Sequence, residues 1–142
     1  MGVDGQGAEM RDETTAKPKP RGDLTLRTIA MPENTNPSGD IFGGWIMSLM
    51  DLAAGLAARE FANGRVVTAA VSKLSFLAPV KVGDAVSCYA ELIRTGRTSM
   101  VFAIETWRTP HPARGERFKV TEAEFTMVAV DQDGCPRPFA VA

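Results

Sequence analysis

Apolar side chains fill one long stretch of the chain, from Gly43 to about Phe61, and recur too often to lie on a single side of a helix. Such spacing is typical of a helix that is buried on most faces. Asn63-Gly64 supplies a left-handed C-cap, and Arg59 places positive charge near the negative end of the helix dipole. We therefore predict a long central helix. Its apolar residues are Trp45, Ile46, Met47, Leu49, Met50, Leu52, Ala53, Ala54, Leu56, Ala57, Ala58 and Phe61.

Five shorter stretches have the composition of β-strands, one before the helix and four after it. Their predicted bounds are Leu24 to Ala30, Val66 to Phe76, Ala85 to Arg94, Ser99 to Arg108 and Phe118 to Val130. Turn-forming residues separate them, and the short connections favour antiparallel pairing, because a parallel crossover needs about a dozen residues. The order β-α-β-β-β-β predicts an α+β fold in which a five-stranded antiparallel sheet wraps around one central helix, the hotdog arrangement.

The length suits one domain, which we place at residues 23–137. Residues 1–22 are rich in Gly, Pro and charge and are expected to form a disordered tail, and residues 138–142 a short C-terminal tail. A helix that is apolar on all sides has more hydrophobic surface than one five-stranded sheet readily covers. We therefore expect a homo-oligomer, at least a dimer.

Charge and cysteine content narrow the classes of partner. With 16 basic and 17 acidic side chains, the chain lacks the positive excess that binds nucleic-acid phosphates. No apolar run approaches the about 20 residues that span a bilayer, so no membrane association is expected. Cys88 and Cys135 stand far apart and have no further ligands at metal-binding spacing. These features predict reduced thiols, no metal and a cytoplasmic location.

The candidate catalytic residues are few. His111 lies between two prolines in a predicted surface loop, and no GxSxG motif is present, so a covalent triad is not expected. Asp51 interrupts the apolar helix, where a carboxylate must be paired, be protonated or face a polar cavity. From the residues alone two interpretations stay open. Asp51 is either catalytic or a buried aspartate that accepts hydrogen bonds from a loop.

Gly43 and Gly44 begin the helix, where first-turn N–H groups have no intrahelical partner and can point at a carbonyl oxygen. The alternative is that the glycines allow tight packing of the helix against a strand. Gly43 and Asp51 are eight residues apart, which is about 12 Å along one helix. One reacting group cannot contact both, so a site that uses both needs two helices related by a two-fold axis.

Cationic and hydroxyl side chains near the predicted turn between the strands Ala85 to Arg94 and Ser99 to Arg108 suit a phosphate group. Arg97 ranks first, in the turn with Thr98 and Ser99, and Arg94 and Lys73 are further candidates. Asp40 precedes the helix and is expected to cap it or to form an Asx-turn.

Several motifs resemble those of the YciA-type acyl-CoA thioesterases of the hotdog superfamily. The resemblance covers roughly residues 23 to 137, and its most specific part is the glycine-rich helix entry that ends in Met50-Asp51. The matching stretches are Leu26 to Pro32, Asn34 to Asn36, Gly39 to Ser48, Met50-Asp51, Gly64 to Thr68, Val82 to Asp84, Gly96 to Ser99, Thr121 to Ala123 and Val128 to Asp131.

This resemblance implies that Asp51 is the catalytic carboxylate, as a general base on water or as a nucleophile. It also implies that an amide at Gly43-Gly44 of the opposing subunit polarises the thioester carbonyl, in a dimer that assembles further into a trimer of dimers. The expected reaction hydrolyses a fatty acyl-CoA to the free acid and CoA without a metal or organic cofactor.

Two departures from the family pattern concern the site. Pro37-Ser38 stands where the family commonly has Ala-Asn, so the hydroxyl of Ser38 replaces an amide and is a candidate for orienting water. Ser72-Lys73 stands where an acidic residue followed by a small one is common. Two alternative functions are a non-catalytic acyl-CoA binding or sensing module and a hotdog enoyl hydratase or dehydratase.

Overall fold

The computed structural model describes residues 18–112 and 115–139. In chain order the elements are β1 (Asp23–Ile29), α1 (Gly43–Ala62), β2 (Val66–Phe76), β3 (Ala85–Thr95), β4 (Ser99–Thr109) and β5 (Phe118–Ala129). A short 3-10 helix, Pro32–Asn34, lies between β1 and α1. The predicted element order is confirmed, and each predicted bound lies within one residue of the observed one.

All strand pairs in the sheet are antiparallel, and the strand order is β1-β3-β4-β5-β2. Strands β3, β4 and β5 form a meander of consecutive hairpins. The chain reaches β2 directly from the helix and places it at the far edge beside β5, while β1 lies at the opposite edge beside β3. The predicted α+β hotdog architecture is confirmed.

The core lies between α1 and one face of the sheet. Inward-facing residues of β4, namely Met100, Phe102 and Ile104, pack with residues of α1 such as Met50 and Ala54. Other core residues of α1 are Ile46, Ala53, Ala58 and Ala62.

The opposite face of α1 is uncovered in the single chain. Met47 and Leu52 keep 38% and 55% of their surface exposed. The sheet therefore covers one face of the helix only, and burial on most faces, as predicted from the sequence, would require the expected second subunit.

The C-terminal end of α1 has a clear local cause. Asn63 adopts the predicted left-handed conformation (φ 53°, ψ 51°) and ends the helix. The guanidinium of Arg137 donates to the Ala62 carbonyl at 3.0 Å. Beyond it, the Phe139 ring packs edge-to-face on Phe61, with ring centroids 5.6 Å apart. The core therefore extends past residue 137, where the predicted domain ends.

Much of the predicted disordered tail, residues 1–17, lies outside the described residues, as do residues 140–142. Arg21 is described and contacts the sheet: its backbone N–H donates to Glu105 at 3.1 Å, and its side chain pairs with Glu91. Across the described part of the chain, α1 included, no helix combines the length and apolarity needed to cross a bilayer.

The two cysteines are both free. Cys88 is buried on β3 with its Sγ 3.4 Å from the Thr106 hydroxyl, and burial raises the pKa of its thiol to about 11. Cys135 is exposed in the turn that follows β5. His111 is exposed in the β4–β5 connection, as predicted.

Candidate active site

Asp51 lies on the uncovered face of α1, next to Leu52 and one turn beyond Met47. Its carboxylate is exposed in the single chain rather than buried among the apolar residues that surround it in the sequence. The difference follows from the helical period, because Asp51 falls on the face that the sheet leaves open.

Thr68 holds the carboxylate of Asp51 in place. The Thr68 hydroxyl donates to Asp51 Oδ1 at 2.6 Å, across the space between β2 and α1. Thr68 pairs with the core residue Met127 of β5, so its side chain points to the helix side of the sheet. Among the described residues Oδ2 accepts no hydrogen bond from the protein, and it is free to contact water or a substrate.

Thr68 lies in one of the family motifs, but the residue pattern alone assigns it no role. The signal that identifies it is its place in the alternation of side chains along β2, because the inward-facing residues of that strand meet the helix. This alternation becomes informative only once the pairing of β2 with β5 is known.

A cleft of about 830 Å³ opens beside Asp51 and Thr68, between the second half of α1 and the start of β2. Its near wall includes Leu52 and Leu56, and its far end is polar. The residues at the far end are Arg59, Glu60, Asn63 and Arg65. Asp51 therefore faces a cleft with an apolar part and a charged part.

Gly43 and Gly44 form the first turn of α1, and the N-cap residue Phe42 has no side-chain capping bond. Within residues 18–112 and 115–139, neither glycine N–H has an acceptor. A Cβ on Gly43 would meet only the Phe76 ring at 3.5 Å, and one on Gly44 only the Phe42 ring at 3.4 Å, both ordinary contact distances. Tight packing therefore does not require glycine at either position, although Phe76 of β2 lies beside Gly43, and both N–H groups lack an acceptor among the described residues.

The loop before α1 is organised by Asn36. Its side-chain oxygen accepts from the backbone N–H groups of Ser38 at 2.9 Å and Asp40 at 3.1 Å. Ser38 is exposed in this loop. The carboxylate of Asp40 pairs with Lys81 instead of capping the helix, so the predicted cap or Asx-turn at Asp40 is wrong.

The predicted phosphate-binding residues divide into two groups. Arg97, Thr98 and Ser99 form the β3–β4 turn, and Thr98 O accepts from the backbone N–H of Ala129 at 2.9 Å. Ala129 also pairs with Val66, which lines the cleft, so this turn lies at the same end of the sheet as the cleft.

Lys73 and Arg94 instead approach Glu124, at 3.4 Å and 3.7 Å. Glu124 alternates with the core residues Ala123 and Phe125, so it points away from the helix. The structure therefore places these two cations on the opposite face of the sheet from Asp51.

In a single chain, then, the site residues occupy two places. Asp51 and Thr68 lie at the cleft, and the open amides of Gly43 and Gly44 lie about 12 Å away along the helix axis. A carboxylate of this kind activates water or attacks directly, and open amides stabilise a carbonyl oxygen that gains negative charge. Together they are the components of a hydrolase that acts on an activated carbonyl. No group of three or more His, Cys, Asp or Glu side chains that could hold a metal occurs in the described part of the chain.

Comparison with known proteins agrees with this class. The pattern of the thioesterase superfamily matches residues 38–112. The acyl-CoA thioester hydrolase YciA of Salmonella typhimurium is 52% identical over 130 residues, which cover 90% of this chain and 98% of the relative. YciA of Escherichia coli is 52% identical over 124 residues, which cover 86% and 94%.

Solved structures give the same result. The hexameric thioesterase y2039 of Yersinia pestis superposes with a TM-score of 0.84 and 50% identity, over 87% of this chain and all of that one (100%). The chain belongs to the thioesterase superfamily, and the resemblance to YciA-type enzymes is confirmed.

Proposed function

We propose that this chain is an acyl-CoA thioester hydrolase that converts a fatty acyl-CoA and water to the free acid and CoA. The observation that carries the proposal is the pair of Asp51 and Thr68, with a 2.6 Å hydrogen bond, at the wall of a cleft. The names of the relatives support the substrate class, since both YciA proteins are acyl-CoA thioester hydrolases.

In this proposal Asp51 acts on the thioester carbonyl carbon, as a base that takes a proton from water or as a nucleophile. Thr68 fixes the orientation of the carboxylate by binding Oδ1, which leaves Oδ2 for the reaction. The carbonyl oxygen accepts from an amide at Gly43-Gly44, which stabilises the negative charge that develops there. The C–S bond then breaks, and the CoA sulfur leaves as a thiolate that is protonated by solvent. If water attacked, the free acid is formed in this step; if Asp51 attacked, water then hydrolyses the anhydride between Asp51 and the acyl group, which releases the free acid and restores the carboxylate. Ser38, near the same helix entry, is a candidate for orienting water.

The amides must come from a second subunit, because those of the same chain lie about 12 Å from Asp51 along the helix. We therefore infer a homo-oligomer in which each active site uses two chains. The hexameric state of the Yersinia pestis relative supports a trimer of dimers.

CoA is the part of the substrate that carries phosphate, and we place its phosphates outside the cleft near Arg97, Thr98 and Ser99. Lys73 and Arg94 are the further candidates for binding these phosphates. Both side chains contact Glu124, but the cations are exposed and such ion pairs are weak in water. No metal or organic cofactor is required by the proposed steps. The enzyme would act in the cytoplasm, where acyl-CoA thioesters are formed.

Thiol release from a panel of acyl-CoAs tests the function. The purified protein should release CoA from saturated fatty acyl-CoAs. Saturable binding without release would instead identify a binding module, and consumption of enoyl-CoA alone would identify a hydratase.

Asp51→Asn and Asp51→Ala should abolish this release while the oligomer stays intact. Asp133→Asn is the matched control, because Asp133 is also exposed, in the turn after β5, and is not among the residues that line the cleft. An Asp51→Asn enzyme with most of the original kcat/KM would refute the assignment.

A further inference from the structure

Gly55 lies in the wall of the cleft beside Asp51, one turn further along α1. Glycine inside a helix lowers its stability relative to alanine, because the unfolded chain loses more freedom. The backbone of Gly55 is ordinary helix, which any residue adopts. Outside the neighbouring turns of its own helix, a Cβ here would meet no atom of the described residues within 4 Å. Neither backbone conformation nor packing within the chain therefore requires glycine at this position.

The cleft runs alongside the second half of α1. Asp51, Gly55 and Arg59 line it at intervals of four residues, which places them on one stripe of the helix. Leu52 and Leu56 lie beside this stripe and make the helix wall apolar for about 7.5 Å beyond Asp51. Charged side chains begin at Arg59, about 12 Å beyond Asp51. The helix wall therefore offers an apolar stretch of limited length, with a gap at Gly55.

This inference rests on the proposed function, in which the thioester carbon lies next to Asp51. Such a substrate has two arms, the acyl chain and the pantetheine arm of CoA. The pantetheine arm carries two amides, which lose free energy where their N–H and C=O groups find no partners. The stretch from Leu52 to Leu56 offers them only apolar side chains, whereas an alkyl chain is stabilised by the same burial. The acyl chain is therefore the arm that suits the cleft.

We propose that the acyl chain lies in this cleft and that Gly55 is a specificity-determining residue, whose missing side chain leaves room for the chain to pass. With C–C bonds of about 1.5 Å, an extended chain advances roughly 1.25 Å per carbon. Gly55 lies about 6 Å beyond Asp51 along the helix, which places about the sixth carbon beside it. The charged residues begin at about the tenth carbon. The substrate class is therefore a medium-chain acyl-CoA of about six to ten carbons.

Filling the gap at Gly55 tests the proposal on the purified full-length protein. The measurement is the ratio of kcat/KM for octanoyl-CoA to that for butanoyl-CoA, from thiol release. Each methylene that can no longer be buried costs roughly fourfold in kcat/KM, so Gly55→Leu should lower this ratio about 100-fold. Gly55→Ala adds a single methyl group and should lower the ratio by less than about tenfold. The alanine variant should be at least as stable as the parent, so it decides the question if the leucine variant does not fold.

Ala57→Leu is the matched control, because it adds a leucine to the same helix on another side. Ala57 lies two positions beyond Gly55, about 200° around the helix. It lines a second cleft of about 750 Å³, together with Leu24 and Phe102, and Asp51 is not among the residues of that cleft. The Ala57→Leu enzyme should keep the parent ratio of octanoyl-CoA to butanoyl-CoA hydrolysis. A lowered ratio in this variant would place the acyl chain in the second cleft and overturn the proposal.

The results separate the position of the chain from the reaction itself. A lowered ratio in the Gly55 variants, with hydrolysis of butanoyl-CoA retained, supports the proposal. An unchanged ratio overturns it, and so does an equal loss on both substrates, which would place the pantetheine arm or another subunit beside Gly55. Absence of thiol release by the parent protein would reject the proposed function. An active parent whose Gly55 variants keep its chain preference would reject the placement of the acyl chain alone.

Discussion

Replacing Thr68 with valine removes the hydroxyl that donates to Asp51 while keeping the size and β-branching of the side chain. A hydrogen bond to a charged group contributes about 1.5–3 kcal/mol, and about 1.4 kcal/mol corresponds to a factor of ten in rate. Water can replace part of this contact where Asp51 is exposed. We therefore expect kcat to fall about tenfold, and at most about 100-fold.

The effect should appear in kcat and leave KM nearly unchanged, because Thr68 contacts the carboxylate that we propose as catalytic and none of the residues that we propose to bind the CoA phosphates. Thiol-release kinetics with one saturated acyl-CoA measure both constants. Thr68→Ser keeps the hydroxyl and should recover most of the activity. Thr126→Val is the matched control, since Thr126 lies on β5 between the core residues Phe125 and Met127 and points away from α1.

Two results would show that this reasoning is wrong. One is a Thr68→Val enzyme with unchanged kcat, which would mean that the 2.6 Å contact does not orient Asp51 during the reaction. The other is a Thr68→Ser enzyme as slow as the valine variant, which would assign the loss to packing at β2 instead of the hydroxyl. The melting temperatures of both variants should stay close to that of the parent protein.

Three further predictions concern assembly, thiol chemistry and stability. Asp51→Asn and Gly43→Val chains should each be inactive alone, and their co-expression should restore about a quarter of the parent activity. Half of randomly formed dimers contain one chain of each kind, and each such mixed dimer has one intact site out of two. Purified mixed oligomers with no activity would contradict a shared site. At pH 8 a thiol reagent should modify one cysteine per native chain, Cys135, since the raised pKa of about 11 keeps Cys88 protonated, and two after unfolding. Asp84→Ala should lower the free energy of unfolding by about 3 kcal/mol in urea titrations. The buried carboxylate of Asp84 accepts from the backbone N–H of Lys81 at 2.9 Å and from the guanidinium of Arg108 at 3.0 Å, so its loss leaves the Arg108 cation unpaired.

The bounds of the elements could be predicted because local chemistry determines them. The helix begins at Gly43 and ends at the left-handed Asn63, and β2 lies between a glycine turn and Pro79. The position of β2 in the sheet could not be predicted, because the connection of residues 77–84 suits either a hairpin to β3 or a crossing to the far edge. Packing of the whole sheet decides between them.

For the same reason, the candidate site was only partly predictable. Asp51 was identified because a carboxylate is unusual in an apolar helix, and Gly43-Gly44 because they open the helix. Thr68 was missed because a threonine in a strand is ordinary until its neighbour across the fold is known. The role expected of Asp40 failed because a lysine distant in sequence, Lys81, competes for its carboxylate.

The exposed edge of β2 has a consequence for the behaviour of the protein at low concentration. If the contact between chains both covers the edge of β2 and completes the active site, dissociation on dilution exposes the edge and abolishes the reaction together. Turnover per chain would then rise with total protein and reach a plateau, so the amount of enzyme a cell makes would set its efficiency as well as its quantity.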